Sequence, residues 1–128
     1  MVHSLNKGKN GEREAGLWLQ QAFNLSVTPY RNLDQTREGG FDLMGFPPLA
    51  IEVKRQETLN KKNWWIQVKN AINTEYSCAC VMYRQNRQPW RFLLPAELIG
   101  VKRGYIELQE REFKVWVRTT VLGQVQTR

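Results

Sequence analysis

Cysteine, histidine and aspartate are all scarce in this chain. Its 128 residues hold two cysteines and one histidine. Cys78 and Cys80 stand two apart in SCACVMY, so on a strand they share a face and cannot readily bond to each other. With no further cysteine and only the distant His3, they make no zinc site. A buried strand face is their expected role. No segment resembles a signal peptide, and no apolar run is long enough to span a membrane. These absences point to a reducing, cytoplasmic setting. Internal repeats, low-complexity linkers, zinc fingers and a helix-turn-helix are missing too. Aspartate occurs only at 34 and 42, so Asp42 is not one of a crowd of surface acids.

What is present suits one folded domain. Hydrophobic residues make up 41% and tryptophan occurs five times, enough for a real core. Lysine and arginine number 19 against 12 acids, a net charge of +7. That excess favours a polyanionic partner, because neutralising phosphates releases counterions. Residues 1–10 are polar and basic and read as a flexible arm.

Residues 11–24 read as an amphipathic helix with Asn10 as N-cap and Ala15, Leu19, Ala22 and Phe23 as its apolar stripe. Residues 25–31, 39–45 and 49–56 read as strands, the last two joined by a turn at Pro47-Pro48. Residues 60–73 read as a second helix. Residues 77–84 and 90–95 read as further strands, and alternation in FKVWVR predicts a β-hairpin over 104–118. The fold class expected is α/β, a central mixed sheet flanked by helices.

The stretch GGFDLMGFPPLAIEVKRQ carries the chemistry. Side chains alternate along a strand, so Glu52, Lys54 and Gln56 project together while Ile51 and Val53 point into apolar surroundings. A hairpin that lays residues 39–45 beside 49–56 adds Asp42 to that spot. Two carboxylates and an ammonium suit a divalent metal, an activated water and a scissile phosphate. Magnesium prefers carboxylates, so Asp42 and Glu52 are its natural ligands, with Lys54 to orient water or offset charge. The alternative is an exposed strand face with a modest ion pair. Glu12 is an independent pointer. Ala15, Gly16, Leu19 and Phe23 follow at helical spacings, so Glu12 faces the sheet, where a carboxylate needs a cation, a metal or water.

KGKNGERE (7–14), GGFDL (39–43), IEVKRQ (51–56) and WRFLL (90–94) together resemble the PD-(D/E)XK nuclease superfamily. They look most like its archaeal-type Holliday junction resolvases, or a phage-encoded relative. The resemblance covers about residues 7 to 95. It implies a restriction-endonuclease-like core and an active centre of Glu12, Asp42, Glu52 and Lys54, with Glu12, Asp42 and Glu52 on Mg²⁺ or Mn²⁺. It further implies a homodimer making paired nicks in branched double-stranded DNA, and Gln56 as an extension of the site. The hairpin expected at the C-terminus has no counterpart in that family.

Recognition of DNA shape calls for phosphate contacts over a basic face. Lys7, Lys9, Arg13, Arg31, Arg37, Arg55, Gln56, Lys61 and Lys62 are the candidates, clustered around the motifs. Trp64 and Trp65 are adjacent on a helix and point about 100° apart, so one can sit in the core with the other nearer the surface; an exposed Trp suggests an interface, and a core position is the commoner alternative. Two other functions fit the same residues. One is a nicking, flap or restriction-like nuclease of the same superfamily. The other is a DNA-binding module without catalysis.

Overall fold

Strand alternation decides which helix covers which face of the sheet. In the computed structural model, which describes residues 2–33 and 40–123, six strands form one mixed sheet. Helix α1 spans Val2–Phe23, and β1 and β2 are the short pieces Tyr30–Arg31 and Leu43–Met44. Strand β3 is Leu49–Arg55, α2 is Lys61–Lys69, β4 is Cys78–Arg84 and β5 is Arg91–Pro95. A 3₁₀ turn at Ala96–Ile99 leads into β6, Tyr105–Gln109, followed by α3 at Glu110–Trp116 and a π-helical turn at Val117–Val121. The strands lie in chain order, and only β3 and β4 are parallel. Parallel neighbours need a long crossover, and α2 lies in that connection.

Ile51 and Val53 of β3, Cys80 and Met82 of β4, and Phe92 and Leu94 of β5 turn to one face and join Ala15, Leu19 and Phe23 of α1. Ala79, Val81, Tyr83 and Leu93 turn to the other and join Trp64, Trp65 and Val68 of α2. The α/β sheet with flanking helices is therefore the architecture expected. Both cysteines are free thiols, with Cys80 buried and Cys78 half-buried.

Two expectations fail. First, residues 2–10 are not an arm. They continue α1, which begins at Val2 rather than at residue 11. Second, the C-terminal hairpin does not form. The Gln109 side chain accepts from the N3 backbone, and Glu112 Oε1 accepts from the Gln109 N–H at 2.7 Å, a capping box that starts α3. Phe113 and Val117 have the same parity but are also one helical turn apart, and both are fully buried while Val115 is 46% exposed. That is the pattern of a helix. Phe113 stacks on Phe92 at 3.8 Å between ring centroids, so α3 shares the α1 face of the sheet. Trp64 and Trp65 are both buried, the commoner of the placements open to them, and Ile66 is the exposed neighbour. Trp64 reaches Tyr83 of β4 and Trp65 reaches Tyr105 of β6, so the two rings cover different strips of one face.

Gly16 fixes how closely α1 approaches the chain leading into β1. A Cβ there would stand 2.6 Å from the Pro29 carbonyl oxygen. That contact brings one turn of α1, and Glu12 with it, to the rim of the sheet beside β1 and β2.

Candidate active site

Charged side chains are seldom buried without a partner or a purpose. Among the described residues the buried polar or charged side chains are Asn32, Asp42 and Glu52, and they lie close together. The cause is local. Strand β2 pairs with β3 at Leu43 and Ile51 and goes no further upstream, whereas β3 runs on to Arg55. The Val53 N–H is left without a backbone acceptor from β2. The Asp42 carboxylate takes its place, with Oδ2 accepting at 2.7 Å. Asn32 holds the other side of the opening: its Nδ2 donates to the Phe41 carbonyl at 2.9 Å and its backbone N–H to the Asp42 carbonyl at 2.8 Å. Asp42 is thus fixed at both its backbone and its side chain, at the point where two strands part.

Glu52 stands on the face opposite Ile51 and Val53 and is 4% exposed. Lys54, two residues on, shares its side, and Lys54 Nζ lies 3.3 Å from Glu52 Oε2. Glu12 approaches from α1. Its Oε1 lies 3.3 Å from Arg31 Nε yet is buried without a hydrogen bond. The structure therefore brings Glu12, Asp42, Glu52 and Lys54 into one neighbourhood.

The electrostatics say what this neighbourhood lacks. Burial pushes the Glu52 carboxyl up to about 7, aided by the Asp42 charge and opposed by Lys54. Burial likewise pushes Glu12 up to about 7, again aided by Asp42 and opposed by Arg31. Both groups resist ionising because water is scarce and Asp42 is near, and Glu52 also because Glu12 is near. A divalent cation would relieve both. The donors are hard oxygens, as magnesium or manganese requires, and an acceptor on Glu12 is unused. Even so, no three acidic, histidine or cysteine side chains among the described residues converge closely enough to hold an ion jointly. The donor set fits a cation carried by Asp42 and Glu52 and completed by water, with Glu12 set further back.

Of the DNA candidates, Arg13 is exposed beside Glu12 and lines with Tyr30 and Arg31 a pocket of about 410 Å³. Gln56 and Lys62 are exposed. Lys7 and Lys9 lie within α1, and Arg37 lies outside the described residues. Three cations already face carboxylates: Arg31 faces Glu12, Arg55 faces Glu14, and Lys61 faces Glu107.

Several residues escaped the sequence reading. Glu14 accepts from Arg55 Nη1 at 3.3 Å and Arg84 Nη2 at 2.6 Å, tying α1 to the ends of β3 and β4. The Arg84 guanidinium in turn lies over the Trp90 ring, 4.5 Å from its centroid. Parity offered a signal, since Arg55 and Arg84 fall on the α1 face with Val53 and Met82. Asn32 gave none, because only the parting of β2 from β3 gives it a carbonyl to hold.

No protein-family model and no curated protein matches this chain. Among solved structures it is similar to Archaeoglobus fulgidus Hjc, a Holliday junction resolvase from an archaeal hyperthermophile. The identity is 20%, over 94% of this chain and 99% of that one, with a TM-score of 0.49. This is a loose likeness of outline, and what the site can do rests on its own residues.

Proposed function

We propose that this protein is a divalent-metal-dependent DNA endonuclease that acts on branched duplexes, with the four-way junction as its preferred substrate. One observation carries the reading. Asp42 and Glu52 are buried carboxylates beside Lys54 at a parting of strands, and burial with mutual repulsion holds Glu52 near neutrality. A structural ion pair would not need a third and fourth charged group at the same spot. A cation-assisted hydrolytic site does.

Asp42 and Glu52 would hold Mg²⁺ or Mn²⁺. When bound, such an ion supplies an activated water and offsets charge on the phosphate and the leaving oxygen. The chain's own groups do the rest. Lys54 Nζ, kept in place by Glu52, donates to the attacking water or to a phosphoryl oxygen as charge builds there. Asp42 cannot swing away, because Val53 and Asn32 hold it. Glu12, with its unused Oε1, is placed to accept from an ordered water. The motif resemblance narrows the substrate to junctions, and the excess of 19 basic over 12 acidic residues supports a polyanionic one. Paired cuts across a junction call for two active centres, which a twofold homodimer supplies most simply.

The test is to incubate the purified protein with end-labelled four-way junction, flap and linear duplex, in Mg²⁺ or in EDTA. Paired nicks in the junction, in Mg²⁺ only, are expected. Preference for the flap, or equal cutting of all three, would move the assignment to another nuclease of this type. Binding without cutting would leave a DNA-binding module.

A further inference from the structure

Strand parity extends the polar face that holds Glu52 and Lys54. Lys54 of β3 is in register with Tyr83 of β4, and Tyr83 with Arg91 of β5. On β6, Glu107 is in register with Leu93 and shares that face. The row Lys54, Tyr83, Arg91 thus crosses three neighbouring strands at one end of the sheet. With strands spaced about 4.8 Å apart, Arg91 stands roughly 10 Å from Lys54. At the end of this row lies a pocket of about 200 Å³, lined by Tyr83, Gln88, Arg91 and Glu107 among others.

Glu107 gathers the donors around this pocket. Its Oε1 is 2.8 Å from Lys61 Nζ, and its Oε2 accepts from the Tyr83 hydroxyl at 2.9 Å. Arg91 Nη1 stands 3.8 Å from Oε2, within ion-pair range but too far for a hydrogen bond. Lys61 also lies over the Tyr83 ring, 5.3 Å from its centroid. Two cations and a hydroxyl converge on one small anion. Tyr83 is buried, but the charged side chains are not deeply so: Lys61, Arg91 and Glu107 are 30%, 40% and 27% exposed. An exposed pair of this kind contributes little to stability, so structure alone does not account for the convergence.

We propose that Lys61, Tyr83 and Arg91 form a subsite for a DNA phosphate flanking the scissile one, and that the Glu107 carboxylate stands in for that phosphate until DNA arrives. The inference rests on the nuclease reading above and adds to it a second contact point on the same strand. A phosphodiester offers the same kind of acceptor oxygens as a carboxylate, on a group that DNA repeats along its length. A strand whose scissile phosphate meets Lys54 runs along the sheet end to Arg91. Arriving DNA then displaces Glu107 from Lys61 and Arg91, so recognition at the subsite carries a built-in penalty.

The test measures binding without cleavage. A labelled four-way junction is titrated with Asp42→Asn protein in EDTA, across a range of salt concentrations, alone and combined with Glu107→Gln or Arg91→Ala. Glutamine keeps acceptors for Tyr83 and Lys61 but removes the competing charge. Glu107→Gln is expected to tighten binding about 2–5-fold, the scale of one exposed charge pair. It should also steepen the dependence of log K on log salt by about one, as each added phosphate contact does. Arg91→Ala, at a half-buried position, should weaken binding and lower that slope by about one. Unchanged or weaker binding by Glu107→Gln, or an unchanged slope in Arg91→Ala, overturns the subsite. Failure of the Asp42→Asn parent to bind any DNA overturns the nuclease reading itself, a result separate from either variant's behaviour.

Discussion

At the scale of single residues, function and stability oppose each other at Glu52 and Glu12. Both carboxyls are pushed from their ordinary value of 4.5 up to about 7, by burial first and then by the Asp42 charge. Between those values the folded chain binds more protons than the unfolded one. Stability therefore falls as pH rises through that window, the penalty being absent below about 4.5 and complete above about 7. Metal-free protein should melt several degrees lower at pH 8 than at pH 5, and added Mg²⁺ should restore most of the difference at pH 8. Glu52→Gln should flatten the metal-free profile, and a thermal melt at each pH checks both statements. A second expectation concerns Asn32. Asn32→Ala removes the side-chain hydrogen bond to the Phe41 carbonyl, a loss of about 1–3 kcal/mol at a buried position. Alanine keeps the backbone N–H that bonds the Asp42 carbonyl, so the fold should survive, while loss of the side-chain tie to Phe41 loosens the segment that carries Asp42 and junction cleavage drops at least tenfold. Normal cleavage in that variant would remove Asn32 from the account.

At the scale of elements, α1 matters most, because it carries Glu12 to the sheet and Glu14 to the strand ends. Its approach depends on Gly16, where a methyl group would meet the Pro29 oxygen at 2.6 Å. Gly16→Ala should cost about 1–3 kcal/mol, the scale of an overpacked contact, read from the urea midpoint. A midpoint equal to wild type would show that the contact is slack. At the other end of α1, Arg118 donates to the Ala22 carbonyl at 3.1 Å, and Phe113 fills the space against Phe92. Phe113→Ala should cost about 3–5 kcal/mol, as large-to-small changes in a packed core do. These elements were unequally legible in the sequence. Strand parity and a short hairpin sufficed to bring Asp42, Glu52 and Lys54 together, and helical spacing sufficed to turn Glu12 inward. Helix α3 was misread because Phe113, Val115 and Val117 satisfy a period of two, while the Gln109–Glu112 capping box that decides for a helix is a weaker local signal. The ion pairs of Glu14 link residues 41 and 70 positions apart, and that of Lys61 with Glu107 links residues 46 apart, so only the folded sheet reveals them.

At the scale of the whole molecule, the sheet separates two tasks. The face under α1 and α3 is a continuous apolar cluster and holds the fold together. The opposite face is apolar beneath Trp64 and Trp65 and turns polar at one end, from Glu52 across to Glu107. Charge is thereby gathered along one end of the sheet, from the point where β2 leaves β3 across to β6, and the rest of that face stays apolar. The claim on which all of this depends is that the carboxylates there are a cation site, and calorimetric titration of Mn²⁺ into the wild-type, Asp42→Asn and Glu52→Gln proteins tests it most directly. Saturable binding by the wild type, weakened at least tenfold in either variant, is expected. Wild-type protein that takes up no Mn²⁺, or variants that bind it as well as wild type does, would contradict the account.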